Sequence, residues 1–362
     1  MDPVGSRPAK SISFSVVLAL IAAGLFGAAT PMSKALLASI SPFQLAGLLY
    51  LGAVIAVSVV SVRQRSWRSP LKMSPVNRWR LLGAVVFGGI LGPVLLLFGL
   101  RVASAASVSL WLNLELVATA ILGRVLFHDH LGRYGWVGVA GVVLSGALLS
   151  VNEGSAGIVA GLLVAAACLC WGFDNHFTAL IDGITPTQST FWKGIVAGST
   201  NLAIGLAIHP LGASTGDISL ALLIGALSYG ASIALYITAA QGIGATRAQM
   251  FFASAPFFGV ALSILILGES ISVLQMVSAI LLVLSLAILF RDQHHHTHIH
   301  GSLAHEHSHR HDDGHHTHSH PELDPATRHT HWHEHQPIEH AHPHWPDLHH
   351  RHSHNPRERD SD

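Results

Sequence analysis

Long, nearly unbroken apolar stretches fill the first 290 positions, without the alternation of a half-buried strand or the single stripe of a helix on a soluble core. Ten of them approach the roughly 20 residues that cross a bilayer as a helix, at 12–30, 43–62, 80–100, 104–127, 134–151, 156–180, 188–209, 218–241, 246–268 and 271–290. Glycine and alanine recur through these stretches, as close helix packing in lipid requires. At position 291 the apolar pattern stops and does not return. The pattern predicts an all-α integral membrane protein of ten transmembrane helices. Its expected organisation is a short N-terminal segment (1–11), two five-helix units (12–151 and 152–290) and a polar tail (291–362).

The two units rest on an internal repeat. Ser41-Pro42-Phe43-Gln44 answers to Thr185-Pro186-Thr187-Gln188, and Leu25-Phe26-Gly27 to Cys170-Trp171-Gly172. Glu115-Leu116, with its run to His128-Asp129, answers to Ala255-Pro256, with its run to Gly268-Glu269; all three matches have an offset near 140–145. Five helices per unit make the second unit enter the membrane with opposite polarity. The predicted architecture is therefore two inverted repeats, the arrangement in which one half rocks against the other around a midplane site.

Basic residues concentrate in cytoplasmic loops, and Arg63, Arg65, Arg68, Lys72, Arg78 and Arg80 crowd the longest polar break. Arg124, Arg133, Arg247 and Arg291 fall on the same side; Lys34 and Arg101 are exceptions. Both termini are thus expected in the cytoplasm, with the body in a bacterial inner membrane. Arg7 and Lys10 ahead of the first stretch, and Gly27-Ala28-Ala29 near its end, imitate a secretory signal. A removable peptide would not be one half of a repeat, so the stretch reads as a retained signal-anchor helix.

Composition sharpens this picture. Only 11% of residues are charged, against about a quarter in an average soluble domain. The net charge of zero conceals two opposed segments. Residues 1–291 hold 15 Lys and Arg against 8 Asp and Glu, a balance of +7; residues 292–362 hold 5 against 12, a balance of −7. An ordinary soluble enzyme is excluded. So is a disulfide scaffold, because Cys168 and Cys170, the two cysteines, diverge on a helix and read as buried packing. No G-x-x-x-x-G-K-[ST] loop occurs, and no nucleophile–base–orienter set can be named. No enzyme and no required cofactor are expected, and a proton gradient is the expected energy source.

Ionisable groups inside a bilayer cost several kcal/mol, which makes each a functional candidate. Glu115 lies 14 residues after Arg101 and 9 before Arg124, with Trp111 one turn earlier and Asn113 nearby. A carboxylate in apolar surroundings suits the uptake and release of a proton near neutral pH. Trp171, Asp174, Asn175 and His176 form a second group, in which an indole beside a carboxylate and an amide would hold a cationic or polar solute. These seven residues are the expected substrate-binding set, with packing or an interfacial position as the alternative for each. Lys193 reads as snorkelling to headgroups, Asn201 is a further candidate, and Glu269 and Asp129 read as capping or solvating helix ends.

On these residues the chain resembles the drug/metabolite transporter superfamily, of the EamA type, with two tandem EamA-like units over about residues 12–290. The resemblance is carried by Gly24-Leu25-Phe26-Gly27 with Lys34, by Cys170-Trp171-Gly172-Phe173-Asp174-Asn175, and by the Glu115 stretch. The family's Glu-Pro is Glu115-Leu116 here, and the second unit keeps Pro256 with Ala255 in place of Glu. The resemblance implies a secondary transporter, often an exporter of metabolites or xenobiotics. It does not reach the tail.

The tail carries 24 of the 28 histidines. The expected metal ligands are His294, His295, His296, His298, His300, His305, His307, His309, His311, His315, His316, His318 and His320; further clusters follow at His329–His335 and His340–His354. Imidazole suits zinc, nickel, cobalt and copper. Without Cys or a fixed spacing, the tract reads as a collector of divalent transition metals and not as one structural site. Two other readings compete: unused low-complexity sequence, and a pH-responsive tail whose formal charge runs from −7 toward +17 as its imidazoles protonate near pH ~6.5. Its composition predicts disorder without metal. Expected partners are the lipid bilayer, a small-molecule substrate and metal ions; a homodimer is left open and nucleic acid is not expected. The alternatives to an exporter are a transition-metal transporter regulated by the tail and a non-transporting metal sensor or storage protein.

Overall fold

The computed structural model describes residues 9–61, 69–126, 132–181, 184–243, 245–289, 297–300, 303–309, 329–335 and 338–341. Ten apolar rods make up the described body, near where the hydropathy pattern puts them: α1 (Ser13–Leu36), α2 (Pro42–Ser61), α3 (Pro75–Val102), α4 (Ala105–Leu126), α5 (Arg133–Asn152), α6 (Gly154–Ala179), α7 (Pro186–Ile208), α8 (Thr215–Ala240), α9 (Ala248–Leu267) and α10 (Val273–Leu289). Eight of these are long and apolar enough to cross a membrane; α2 and α10 are shorter apolar helices in their described lengths. Large aliphatic side chains line the outside, including Leu162 at 67% exposed and Leu265 at 78%. A soluble domain would hide so large an apolar surface, whereas a bilayer covers it.

The repeat is visible in the backbone. Ser41 and Thr185 each start a helix with Pro in its first turn, and each exchanges hydrogen bonds with the Gln three residues on, Gln44 and Gln188. These are reciprocal capping boxes that satisfy end donors of α2 and α7. Both α3 and α8 widen into a π-turn, at Ala84–Leu91 and Gly225–Ala231. α4 breaks at Leu112–Asn113 and α9 at Ala253–Ser254. Equivalent helices also pack on one another across the two units: α2 on α7, and α5 on α10. A β-carbon at Gly47 would strike Leu202, so a bare backbone there is what lets α2 and α7 touch.

α1 and α6 exchange sides. α1 packs against α8 and α9 of the second unit, and α6 against α3 and α4 of the first. The Trp171–Asn175 stretch of α6 therefore faces the helix that carries Glu115.

One end of the bundle is tied by polar contacts around the α3–α4 turn. Lys34 Nζ donates to the carbonyls of Leu100 (2.7 Å) and Ala103 (2.9 Å), where α3 ends in unpaired acceptors. The Glu269 carboxylate accepts the amides of Ala105 (2.8 Å) and Ala106 (2.9 Å), the first donors of α4. Ser104 donates to Glu153, and Gln275 Nε2 donates to Ser107 Oγ at 2.9 Å. At the same end Gln44 Nε2 donates to His209 O at 2.8 Å. Glu269 caps a helix end as expected, but the helix belongs to the other unit. Lys34, an exception to the charge pattern, is occupied by backbone carbonyls.

Beyond α10 the described tail consists of four strands in two antiparallel ladders. β1 (Thr297–His300) pairs with β4 (Ile338–Ala341), and β2 (Leu303–His309) with β3 (His329–His335). Composition alone hides these strands, but histidine at every second position has the period of a strand. His294, His295, His296, His311, His315, His316, His318 and His320 lie outside the described residues, as do Arg63, Arg65, Arg68, Asp129 and Arg291.

Candidate functional site

The π-turn of α3 prepares the site. Gly92 N–H reaches Phe87 O, five residues back. Pro93, next in line, has no N–H to offer Gly88 O. That carbonyl instead accepts Tyr50 Oη of α2 at 2.7 Å and Trp171 Nε1 of α6 at 3.1 Å. The neighbouring Gly89 O accepts Asn201 Nδ2 of α7 at 3.1 Å. One interrupted turn thus gathers side chains from three other helices, a recurrent use of π-turns.

Asp174 stands beside this turn. Its carboxylate takes Lys193 Nζ of α7 at 2.6 and 2.9 Å and Thr178 Oγ1 at 2.9 Å. The pair is largely buried, with 15% of the Lys193 and 10% of the Asp174 side chain exposed. From the next position of α6, Asn175 Nδ2 donates to Glu115 Oε1 of α4 at 2.9 Å and to Thr119 Oγ1 at 3.2 Å. A β-carbon at Gly88 would fall on the Asp174 carboxylate. Gly88→Ala is expected to displace Asp174, at a cost of about 1–3 kcal/mol. The check is a lowered melting temperature in detergent, and an unchanged value would count against this packing.

Aromatic rings flank the polar groups. Tyr50 and Tyr229 have centroids 5.9 Å apart, Tyr229 and Phe26 5.8 Å, and Phe26 and Phe252 5.3 Å. This chain of rings runs from α2 through α8 and α1 to α9. The polar cluster sits on one side of the pseudo-symmetric bundle. On the other, Phe26 holds the place of Trp171, and Ala255-Pro256 that of Glu115-Leu116.

The structure thus joins Glu115 directly to Asn175, and sets Trp171 and Asp174 beside them. Trp111 is placed differently: it is 1% exposed, and its indole donates to Gly146 O of α5 at 2.9 Å. The break at Leu112–Asn113 takes it out of phase with Glu115. Asn113 is buried and donates to Leu110 O at 3.2 Å. His176 Nδ1 lies 2.8 Å from Gly172 O, within its own helix. Cys168 and Cys170 are buried free thiols. Sequence reasoning missed Lys193 as the partner of Asp174, and missed Tyr50 and Gly88 entirely. Among the described residues no group of three or more His, Cys, Asp or Glu is positioned to hold a metal ion.

An all-helical bundle of apolar rods, duplicated and closed around a small polar centre, defines a multi-pass membrane protein of the transporter class. The pattern of the EamA-like transporter family matches residues 13–151 and again 158–291, and the chain belongs to that family. It is 24% identical over 298 residues to an uncharacterized transporter of Methanothermobacter thermautotrophicus, spanning 76% of this chain and 85% of that relative. It is 23% identical over 252 residues to the uncharacterized transporter YyaM of Bacillus subtilis, spanning 65% and 79%. A solved crystal structure covering 76% of this chain and 97% of its own superposes with a TM-score of 0.55 at 16% identity, which speaks for the fold alone.

Proposed function

We propose that this protein is a secondary transporter that exports a small metabolite or xenobiotic across the plasma membrane by alternating access. The carrying observation is the hydrogen bond between Asn175 and Glu115, made beside the Asp174–Lys193 pair inside an apolar bundle. A carboxylate, an ion pair and aromatic faces suit a polar or cationic solute that also bears apolar surface. Trp111, Asn113 and His176 then support the walls behind this set.

Glu115 is the proton carrier in this reading. It is held by a neutral amide, so protonation breaks one hydrogen bond without stranding a cation. Asp174, salt-bridged to Lys193, is not the carrier in this reading. Both termini lie in the cytoplasm, on the side of Lys72, Arg78 and Arg80, which puts the tied α3–α4 turn at the outer face. The histidine tail binds divalent transition metal on the inner side, as an accessory to the transporting body.

The test is reconstitution in vesicles with an imposed pH gradient, against a panel of amino acids and cationic drugs. Solute flux should follow the gradient. Glu115→Gln should retain solute binding and lose the dependence of flux on pH between 6 and 8, roughly tenfold or more in gradient-driven rate, the usual scale of a lost proton-transfer group. A variant with the wild-type pH profile would remove Glu115 from the coupling step.

A further inference from the structure

The start of α3 carries a surface that the polar centre does not use. Ser69 and Ser74 accept the amides of Leu71 and Asn77, which fixes the turn Pro70–Lys72 and the first turn of α3. Arg80 turns inward: its guanidinium donates to Leu180 O, just past α6, at 2.7 Å and to Asn77 Oδ1 at 3.0 Å. Gly83 lies against the Phe177 ring of α6. Trp79 and Leu82, three positions apart, fall on the outward side with Arg78. Trp79 is 72% exposed, and Leu71, at 80%, is the most exposed large apolar side chain among the described residues.

Lys72 and Arg78 are exposed among these apolar side chains. Neither side chain has an ion-pair or hydrogen-bond partner among the described residues. No acid is near in sequence either, since no Asp or Glu occurs between Asp2 and Glu115. Arg133, by contrast, lies 4.8 Å over the ring of Tyr134 and donates to its hydroxyl. The depth of the surface follows from length. α3 has 28 residues, about 42 Å at 1.5 Å per residue, against a hydrocarbon core of roughly 30 Å. Its first turns therefore reach the level of the headgroups.

We propose that Leu71, Lys72, Arg78 and Trp79 form a binding surface for anionic phospholipid, of the phosphatidylglycerol class, at this end of α3. Leu71 and the Trp79 indole enter the boundary between acyl chains and headgroups, where indoles concentrate. Lys72 and Arg78 stand beside them at the level of the phosphate and meet its charge. A zwitterionic lipid also has a phosphate, but its own cation offsets it, so the preference is for a headgroup with net negative charge. Free phosphate has no acyl chain to cover Leu71 and Trp79, which selects lipid over a soluble anion. The lipid seats the start of the helix whose π-turn gathers Tyr50, Trp171 and Asn201, while Arg80 holds that start to the end of α6.

The test places the full chain in phosphatidylcholine vesicles with a rising fraction of brominated phosphatidylglycerol. Quenching of Trp79 is the difference between the wild type and Trp79→Phe. Half-quenching should come at a fraction roughly tenfold lower than with brominated phosphatidylcholine, because each basic residue near an anionic surface contributes a factor of about five. Lys72→Gln/Arg78→Gln should bring the two lipids together, and Lys72→Arg/Arg78→Lys, which keeps both charges, should hold them apart. Arg124→Gln/Arg133→Gln, the same loss of charge elsewhere, should leave the wild-type preference. Excess inorganic phosphate at constant ionic strength should not displace the lipid. Equal quenching by the two brominated lipids in the wild type would overturn the proposal. So would an equal loss in both Gln pairs, which marks diffuse surface charge, and so would displacement by phosphate, which marks a soluble anion as the occupant.

Discussion

Lys193→Met should abolish transport and cost the fold about 3–5 kcal/mol, because it strands the Asp174 carboxylate in the bundle. Methionine keeps most of the side chain's length and apolar contact, so the loss reports charge and not volume. Asp174→Asn/Lys193→Met, which removes both charges, should recover most of the melting temperature. It should not recover solute flux, since the cluster would then present no fixed charges beside Glu115. Thermal unfolding in detergent and vesicle flux, measured on the same three variants, separate the two effects. Should Lys193→Met retain both stability and flux, the ion pair would carry neither the packing nor the chemistry of the site.

How much of this was legible in the chain follows from the kind of signal each residue leaves. Ten apolar stretches gave the body, because lipid demands long runs and little else produces them. The repeat was legible through Ser41–Gln44 and Thr185–Gln188, whose side chains perform the same capping task at both positions. Glu115, Asp174 and Asn175 stood out as polar residues where polarity is costly. Lys193 did not, because seven positions into α7 a lysine has the reach to snorkel, and only the fold shows Asp174 within 2.6 Å. Trp111 and Glu115 share a face on a straight helix, and the break at Leu112–Asn113 is what parts them. Tyr50 and Gly88 were invisible because the group that gathers them is a backbone carbonyl. Its one trace in the sequence is Pro93, the residue that leaves that carbonyl without an amide. In the tail, the histidine count said nothing of structure, but the alternation of histidines held the strand pattern.

Glu269→Ala should release the end of the bundle that Lys34, Glu153 and Gln275 also hold. The change leaves the amides of Ala105 and Ala106 without their carboxylate acceptor. An unmet buried donor costs about 1–3 kcal/mol, and each 1.4 kcal/mol moves a two-state population about tenfold. If alternating access opens this end, the variant should populate the open state more, roughly tenfold or beyond. Ser107 is fully buried beneath this network and accepts from Gln275. A cysteine placed at Ser107, with Cys168 and Cys170 replaced by Ser, should react with a membrane-impermeant maleimide slowly in the parent and faster by that factor in Glu269→Ala. Glu269→Gln, which keeps one acceptor oxygen, should fall between them. Lys34→Met should move the rate in the same direction, since it frees the carbonyls of Leu100 and Ala103 on the other side of the turn. Labelling that stays at the parent rate in all three variants would mean that these contacts cap helices without closing a path.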